Sequence, residues 1–272
     1  MLTFEELHLE GAETIFQKID EACRLLNIDY FLIGAQAVNF HLYRAKQSGI
    51  RLTKDIDFAV LVPNFAVYND LLGILLEDGL IHTQEPYRLF YPSTDTIIDL
   101  LPFGGVELNG TVTFGADFQI SVVGLREVNH YASGESIQGA TFRISPSSGL
   151  FLLKFISNAD RPERVSDLDD INSILDNYFD LHSDRFFNEH LDLIDELKGE
   201  AYFIQEAGAC LLGRDLRKIL DLSPSLRQAF YDILLKELRD QPHRIGNYFV
   251  QKGYFETWAD FKRVFSLIYR QL

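Results

Sequence analysis

The stretch Tyr30–Val62, YFLIGAQAVNFHLYRAKQSGIRLTKDIDFAVLV, decides how this chain is read. At its centre stands Thr53-Lys54-Asp55-Ile56-Asp57-Phe58, two carboxylates inside an otherwise apolar strand pattern. Side chains two positions apart on a strand share a face, so Asp55 and Asp57 are expected to project side by side. Neighbouring carboxylates repel each other and lose hydration when buried, so a strand that keeps both needs a compensating cation. A divalent metal supplies one. Carboxylate pairs hold Mg²⁺ in phosphoryl-transfer sites, with nucleotide phosphates completing the shell. The plainer alternative is two solvated charges on an exposed face.

Three neighbours favour the metal. Upstream, Tyr30–Ile33 is a short apolar strand that ends at Gly34-Ala35 and passes into a helical stretch over Gln36–Ala45. A turn of small residues between strand and helix lets backbone amides approach a phosphate. Downstream, Thr96–Leu101 is a second apolar strand with a single acid, Asp99. A third carboxylate on a neighbouring strand is what a two-metal site requires. Arg51 and Thr53, on the polar connector 47–54, lead into the pair and can donate to phosphate oxygens.

A small-turn strand, then Asp-x-Asp, then a lone Asp on a later strand resembles the nucleotidyltransferase fold of the DNA polymerase β superfamily. The form Arg-x-Thr-x-Asp-Ile-Asp at 51–57 is similar to the AbiEii-type nucleotidyltransferases, the toxin component of AbiE abortive-infection toxin–antitoxin systems. The family also has a Lys, then an Arg, then Asp-Leu-x-Asp-hydrophobic after its sheet. Lys154, Arg161 or Arg164, and Asp167-Leu168-Asp169-Asp170-Ile171 match that order.

The resemblance, which covers about residues 13–177, implies an α+β nucleotidyltransferase fold: a small mixed sheet flanked by helices, then a C-terminal helical domain. It divides the chain into a catalytic domain over 1–145 and a helical domain over 146–272 that completes the cleft. It implies Mg²⁺ or Mn²⁺ as cofactor and an NTP as substrate, with Asp55 and Asp57 holding two metal ions and Asp99 one of them. The NTP would lie against Gly34 and Ala35, with Arg51, Thr53 and Lys154 nearby. Asp99 would help the acceptor hydroxyl, and Asp167 or Asp170 would position the site or activate the acceptor. Ala35 departs from the Gly-Gly or Gly-Ser of the superfamily: it loses a hydroxyl contact and keeps the amide. The acceptor implied by the family is RNA, notably tRNA, and the implied partner is a cognate antitoxin. A small-molecule or protein acceptor, or a catalytically weak nucleotide-binding module, are the other readings.

Composition bounds these expectations. With 272 residues, 47% of them hydrophobic, the chain has ample material for one large domain or two ordinary ones. Its net charge is −15, unevenly spread. From Glu196 onward 12 Lys/Arg face 10 Asp/Glu, and the residues before it carry −17. So acidic a front part argues against broad, charge-driven binding of nucleic acid. The two cysteines, Cys23 and Cys210, read as buried thiols. No apolar run approaches the ~18–20 residues of a membrane span, and MLTFEELHLEGAE has no signal-peptide core. A soluble cytoplasmic protein with no membrane partner is expected.

The remaining pattern fills in the frame. Residues 11–27 and 65–77 read as amphipathic helices, the second stopped by Asp78-Gly79. Residues 88–91 and 96–101 form a hairpin, 102–115 a glycine-rich loop, 118–123 a strand, 124–132 a short helix and 136–145 a hairpin turning at Gln138-Gly139. His41 reads as a polar packing residue. Ser145 is the expected N-cap of a helix opening at Pro146. On that helix Lys154 either snorkels to solvent or reaches a phosphate, and Asp167 and Asp170 share one face of the next, where dipole stabilisation is the simpler account. Residues 186–197, 202–212, 223–239 and 257–268 follow as helices. Lys236, Arg239, His243 and Arg244 form the clearest basic cluster, a solvated face or an acceptor contact.

Overall fold

Strand β1 (Tyr30–Ile33) is buried along its whole length, which is why its four residues are all apolar: a central strand covered on both faces has no wet side on which to place polar groups. The computed structural model describes residues 2–46, 51–197 and 203–272. They form two compact units, Met1–Pro146 and Ser147–Leu272. Among the described residues no helix is long and apolar enough to cross a membrane.

The first unit is α+β. After α1 (Glu13–Leu25) and β1 come α2 (Gly34–Arg44), β2 (Ile56–Val62), α3 (Phe65–Glu77), β3 (Ile81–His82), β4 (Arg88–Tyr91) and β5 (Thr96–Gly104). Then follow β6 (Glu107–Leu108), β7 (Thr111–Phe114), β8 (Phe118–Ser121), α4 (Leu125–Tyr131), β9 (Ser133–Ile137) and β10 (Ala140–Ile144). Seven strands make a mixed sheet in the order β3-β4-β5-β2-β1-β10-β9. β2 runs antiparallel to β1 and parallel to β5, so the acid-bearing strands lie side by side in its middle. The remaining three strands make a separate antiparallel meander, β6-β7-β8.

Helix α1 packs by its apolar stripe, Ile15, Phe16, Ile19, Ala22 and Cys23. The Phe16 ring meets Phe58 of β2 at 5.3 Å and Phe142 of β10 at 4.8 Å; burying a phenylalanine in this way contributes roughly 1.5–3 kcal/mol. Helix α3 is pinned to β5 where the Tyr68 hydroxyl donates to the Leu100 carbonyl at 2.9 Å. It ends at Gly79, whose φ of +93° suits the left-handed residue after a helix. His41 is half-buried and its Nε2 donates to the Ser145 carbonyl at 2.8 Å, a packing role; desolvation pushes its pKa down.

Two expectations for this unit change. The glycine-rich segment 102–115 is not a loop: β5 runs on to Gly104, and β6 and β7 follow. The overlooked signal is Asn109-Gly110, both at positive φ, which closes a two-residue hairpin between Leu108 and Thr111. Gly105 is there for space, since a Cβ would lie 1.9 Å from the Pro63 carbonyl oxygen. The helix expected to open at Pro146 with Ser145 as its cap opens at Ser147, two residues past Ser145, whose hydroxyl donates to the Pro146 carbonyl.

The second unit is entirely helical among its described residues: α5 (Ser147–Asp160), α6 (Val165–Glu189), α7 (Asp192–Glu196), α8 (Phe203–Leu220), α9 (Pro224–Glu237), α10 (Arg244–Gln251) and α11 (Trp258–Gln271). Phe186 lies in the second of two helical stretches within α6, which meet at a kink at His182 (φ −132°). Ser223 caps α9 by accepting from the Leu226 amide, with Pro224 in the first turn. Thr257 and Asp260 close a capping box on α11. Phe151, Phe155, Phe230, Phe249, Phe261 and Phe265 are fully buried and stack through the interior. Cys23 and Cys210 are free and buried, one in each unit; burial, then Asp20 and Asp29, pushes the Cys23 thiol up to about 12.

Candidate active site

The candidate site grows out of one line of backbone pairing. Ile33 at the end of β1 faces Asp57 on β2, Asp57 faces Asp99 on β5, and Asp99 faces Arg88 on β4. Residues directly opposite in a sheet project from the same face. Asp57, Asp99 and Arg88 therefore form a polar row across three strands, at the end of β1 where α2 begins. Asp55 lies one residue ahead of β2, exposed, and not on the strand itself.

Gly34 explains how Asp57 reaches the helix. Gly34 has φ +71°, and a Cβ built on it would sit 1.9 Å from Asp57 Oδ2. The carboxylate thus packs directly against the first residue of α2. The N-terminus of a helix carries unpaired amides and the positive end of the dipole, so a negative charge there is stabilised. The same feature makes the turn a place where phosphate can be received. Ala35, next in line, is buried at 4% exposure.

Helix α2 also fixes the segment that delivers Asp55. Gln36 Nε2 donates to the Thr53 carbonyl at 2.6 Å. Asn39 Nδ2 donates to the Arg51 carbonyl at 2.9 Å, and its Oδ1 accepts from the Arg51 amide at 3.1 Å. Asn39 thereby pairs with residue 51 as a neighbouring strand would. The Thr53 hydroxyl accepts from the Asp55 amide at 3.2 Å, a local turn that sets the direction of the chain into β2. Lys54 pairs with Asp95 at 3.1 Å. Gln36 and Asn39 escaped the sequence reading. Their signal was two amides three apart on a helix face that is otherwise buried.

Asp99 is 8% exposed. Arg88 engages both its oxygens, Nε to Oδ1 at 2.6 Å and Nη2 to Oδ2 at 2.9 Å, the fork geometry a guanidinium makes with a carboxylate. Asp99 holds Arg88 firmly protonated. Sequence alone did not single out Arg88, because its partner lies eleven residues away across the hairpin. Among the described residues no three or more His, Cys, Asp or Glu side chains form a ready metal cage. The donors do suit one hard cation: Mg²⁺ is usually bound by one or two carboxylates together with substrate phosphates, and Asp55 and Asp57 provide two.

Lys154, Asp167 and Asp170 meet within the helical unit. Lys154 Nζ lies 2.6 Å from Asp170 Oδ2 and 3.4 Å from Asp167 Oδ1. Arg164 Nε lies 3.0 Å from Asp167 Oδ2. Lys154, 7% exposed, does not snorkel; it ties α5 to the first turns of α6. Between the two aspartates, Asp169 Oδ1 accepts from the hydroxyls of Tyr248 and Tyr254 at 2.7 and 2.8 Å. Part of the basic cluster is spent internally: Arg244 donates to Asn158 and His243 to Glu237. Glu237 in turn caps the α10 amides of Ile245 and Gly246.

No protein-family model matches the chain, and no curated protein matches it. Among solved structures it is similar to the antibiotic-resistance factor ANT(2'')-Ia in solution, at 14% identity and TM-score 0.41, covering 68% of this chain and 95% of that one. It is likewise similar to an antigenic nucleotidyltransferase-like protein from Paracoccidioides brasiliensis, at 17% identity and TM-score 0.41, covering 84% and 94%. A crystal structure of ANT(2'')-Ia with adenylyl-2''-tobramycin gives 13% identity and TM-score 0.39, covering 72% and 95%. These likenesses are distant.

Proposed function

We propose that the chain is a nucleotidyltransferase. An acceptor hydroxyl oxygen bonds to the α-phosphorus of an NTP while its proton passes to solvent, the bond to the bridging oxygen of the β-phosphate breaks, and pyrophosphate leaves. The observation that carries this reading is the packing of Asp57 against Gly34 at the head of α2, with Asp55 just ahead of it and Asp99 beside it in register. Carboxylates and a helix N-terminus at one point are the two halves of a metal–triphosphate site.

The roles follow from position. Asp55 and Asp57 would hold Mg²⁺ or Mn²⁺, which when bound would supply Lewis-acid stabilisation of the charge that develops on the phosphates. The Gly34-Ala35 amides receive phosphate oxygens, and Arg51 and Thr53 lie on the segment that Gln36 and Asn39 hold in place. Asp99 is a catalytic carboxylate of the same row. Lys154, Asp167 and Asp170 are carried by the family resemblance. Their mutual pairing supports a part in ordering the start of α6.

The resemblance assigns RNA, notably tRNA, as acceptor and an antitoxin as partner, in the manner of an AbiEii-like toxin. A specific observation favours a small-molecule or protein acceptor. Residues 1–146 hold 9 Lys/Arg against 19 Asp/Glu, a net of −10, and Lys54 and Arg88 beside the site are already paired with acids. A polyanion needs a basic track, because its affinity comes from neutralised phosphates.

The test is incubation with each α-labelled NTP, Mg²⁺ and an unfractionated cell lysate, which supplies RNA, protein and small-molecule acceptors, beside the Asp55→Ala/Asp57→Ala double variant, followed by separation of RNA, protein and small molecules. Label entering any fraction with the wild type alone is the expected result, and the fraction names the acceptor class. Label in none of them, across all four NTPs, would sink the enzymatic reading.

A further inference from the structure

The polar row contains a cation that the two-metal scheme does not use. Arg88 lies opposite Asp99, which lies opposite Asp57. Its guanidinium fills both oxygens of Asp99 at 2.6 and 2.9 Å. The arginine is steadied from two further sides, by the Tyr87 ring at 5.9 Å and Glu85 at 4.0 Å. Resting on the nucleotidyl-transfer reading above, we propose that this site works with one divalent cation, held by Asp55 and Asp57, and that Arg88 on Asp99 is its permanent second positive charge.

Two arguments converge. Mg²⁺ demands ligands at about 2.0–2.1 Å in near-octahedral order. To reach Asp99 it would have to strip off a bidentate guanidinium in a position only 8% exposed, leaving a partly buried arginine without its carboxylate, a costly separation. The donor geometry agrees as well, since no three acids among the described residues gather into a cage. Arg88 is therefore a positioning residue: it takes Asp99 out of metal coordination and keeps positive charge beside the reacting phosphates. An arginine cannot lose its proton under working conditions, so this charge, unlike a second metal, does not vary with metal supply.

The count of bound metal tests the proposal without turnover. Mn²⁺ is titrated by electron paramagnetic resonance into the full chain, held in excess over one non-hydrolysable NTP analogue, each base in turn. One Mn²⁺ per bound nucleotide is expected, with the spectrum of an isolated ion. Asp99→Asn should leave that count at one. Two ions per nucleotide with the broadening of a pair about 3.5–4 Å apart would overturn the proposal, and so would loss of the single ion in Asp99→Asn. Should that variant fail to fold, the wild-type count and line shape decide alone. Failure of the underlying reading looks different. It would appear as no nucleotide-dependent Mn²⁺ binding, or as binding untouched by Asp55→Ala/Asp57→Ala, and the one-metal proposal would fall with it.

Discussion

Replacing Gly34 with alanine should separate the backbone requirement of the turn from its catalytic one. Two costs arise. The residue sits at φ +71°, where an L side chain costs about 1–2 kcal/mol. The new Cβ would also lie 1.9 Å from Asp57 Oδ2, whereas real Cβ atoms stay beyond 3.0 Å, so the carboxylate must retreat by more than about 1 Å. A displacement of that size at a reacting centre can cost about 100-fold in rate. Gly79→Ala is the matched control. It has φ +93° and open space around the position, so it carries the strain without the collision.

Both variants should lose about 1–2 kcal/mol, or roughly 2–8 °C in the melting of a unit this size, by calorimetry. Only Gly34→Ala should lose nucleotide-dependent Mn²⁺ binding and labelled-NTP transfer, by about 100-fold. If Gly34→Ala bound Mn²⁺–nucleotide within about threefold of Gly79→Ala, the claim that Asp57 against Gly34 builds the site would be refuted.

Other expectations rest on the same geometry. Asn39→Leu removes both hydrogen bonds to residue 51 and should cost about 1–3 kcal/mol; transfer should fall with it as the Asp55 segment loosens, and unchanged melting would contradict the account. Lys154→Met removes the ammonium that pairs with buried Asp167 and Asp170, so the helical unit should lose about 3–5 kcal/mol, read by denaturant unfolding; a loss of activity with full stability would point instead to substrate contact. Asp215 supplies a pH dependence. Burial alone would raise its pKa, but the Arg185 guanidinium outweighs this, with help from the Tyr178 hydroxyl, and holds it at about 2. A depressed folded-state pKa means that the stabilisation, about 2 kcal/mol, is complete above the unfolded value near 4 and disappears as the pH falls from there through about 2. Asp215→Asn should flatten stability over that window, and an unchanged acid limb would show that the pair contributes nothing.

What the sequence determined by itself is what short-range pattern can encode. The apolar run Tyr30–Ile33, the glycine after it and the alternation around Asp57 specify strand, turn and strand, because periodicity and conformational preference are local properties. The helix cap at Ser223 and the turn at Gln138-Gly139 were legible for the same reason. The hairpin at Asn109-Gly110 carried its own local signal and was passed over among the neighbouring glycines. Register was not legible. That Asp99 stands beside Asp57 and under the fork of Arg88 depends on which strands pair and at which offset. A shift of one residue would have turned each side chain to the opposite face. The same holds for Asn39 on residue 51 and for Lys154 between Asp167 and Asp170: each is a polar group whose partner folding alone selects. Burial decided these pairings, since a charge or amide removed from water must find its complement within reach, and only the tertiary structure decides which complement is near.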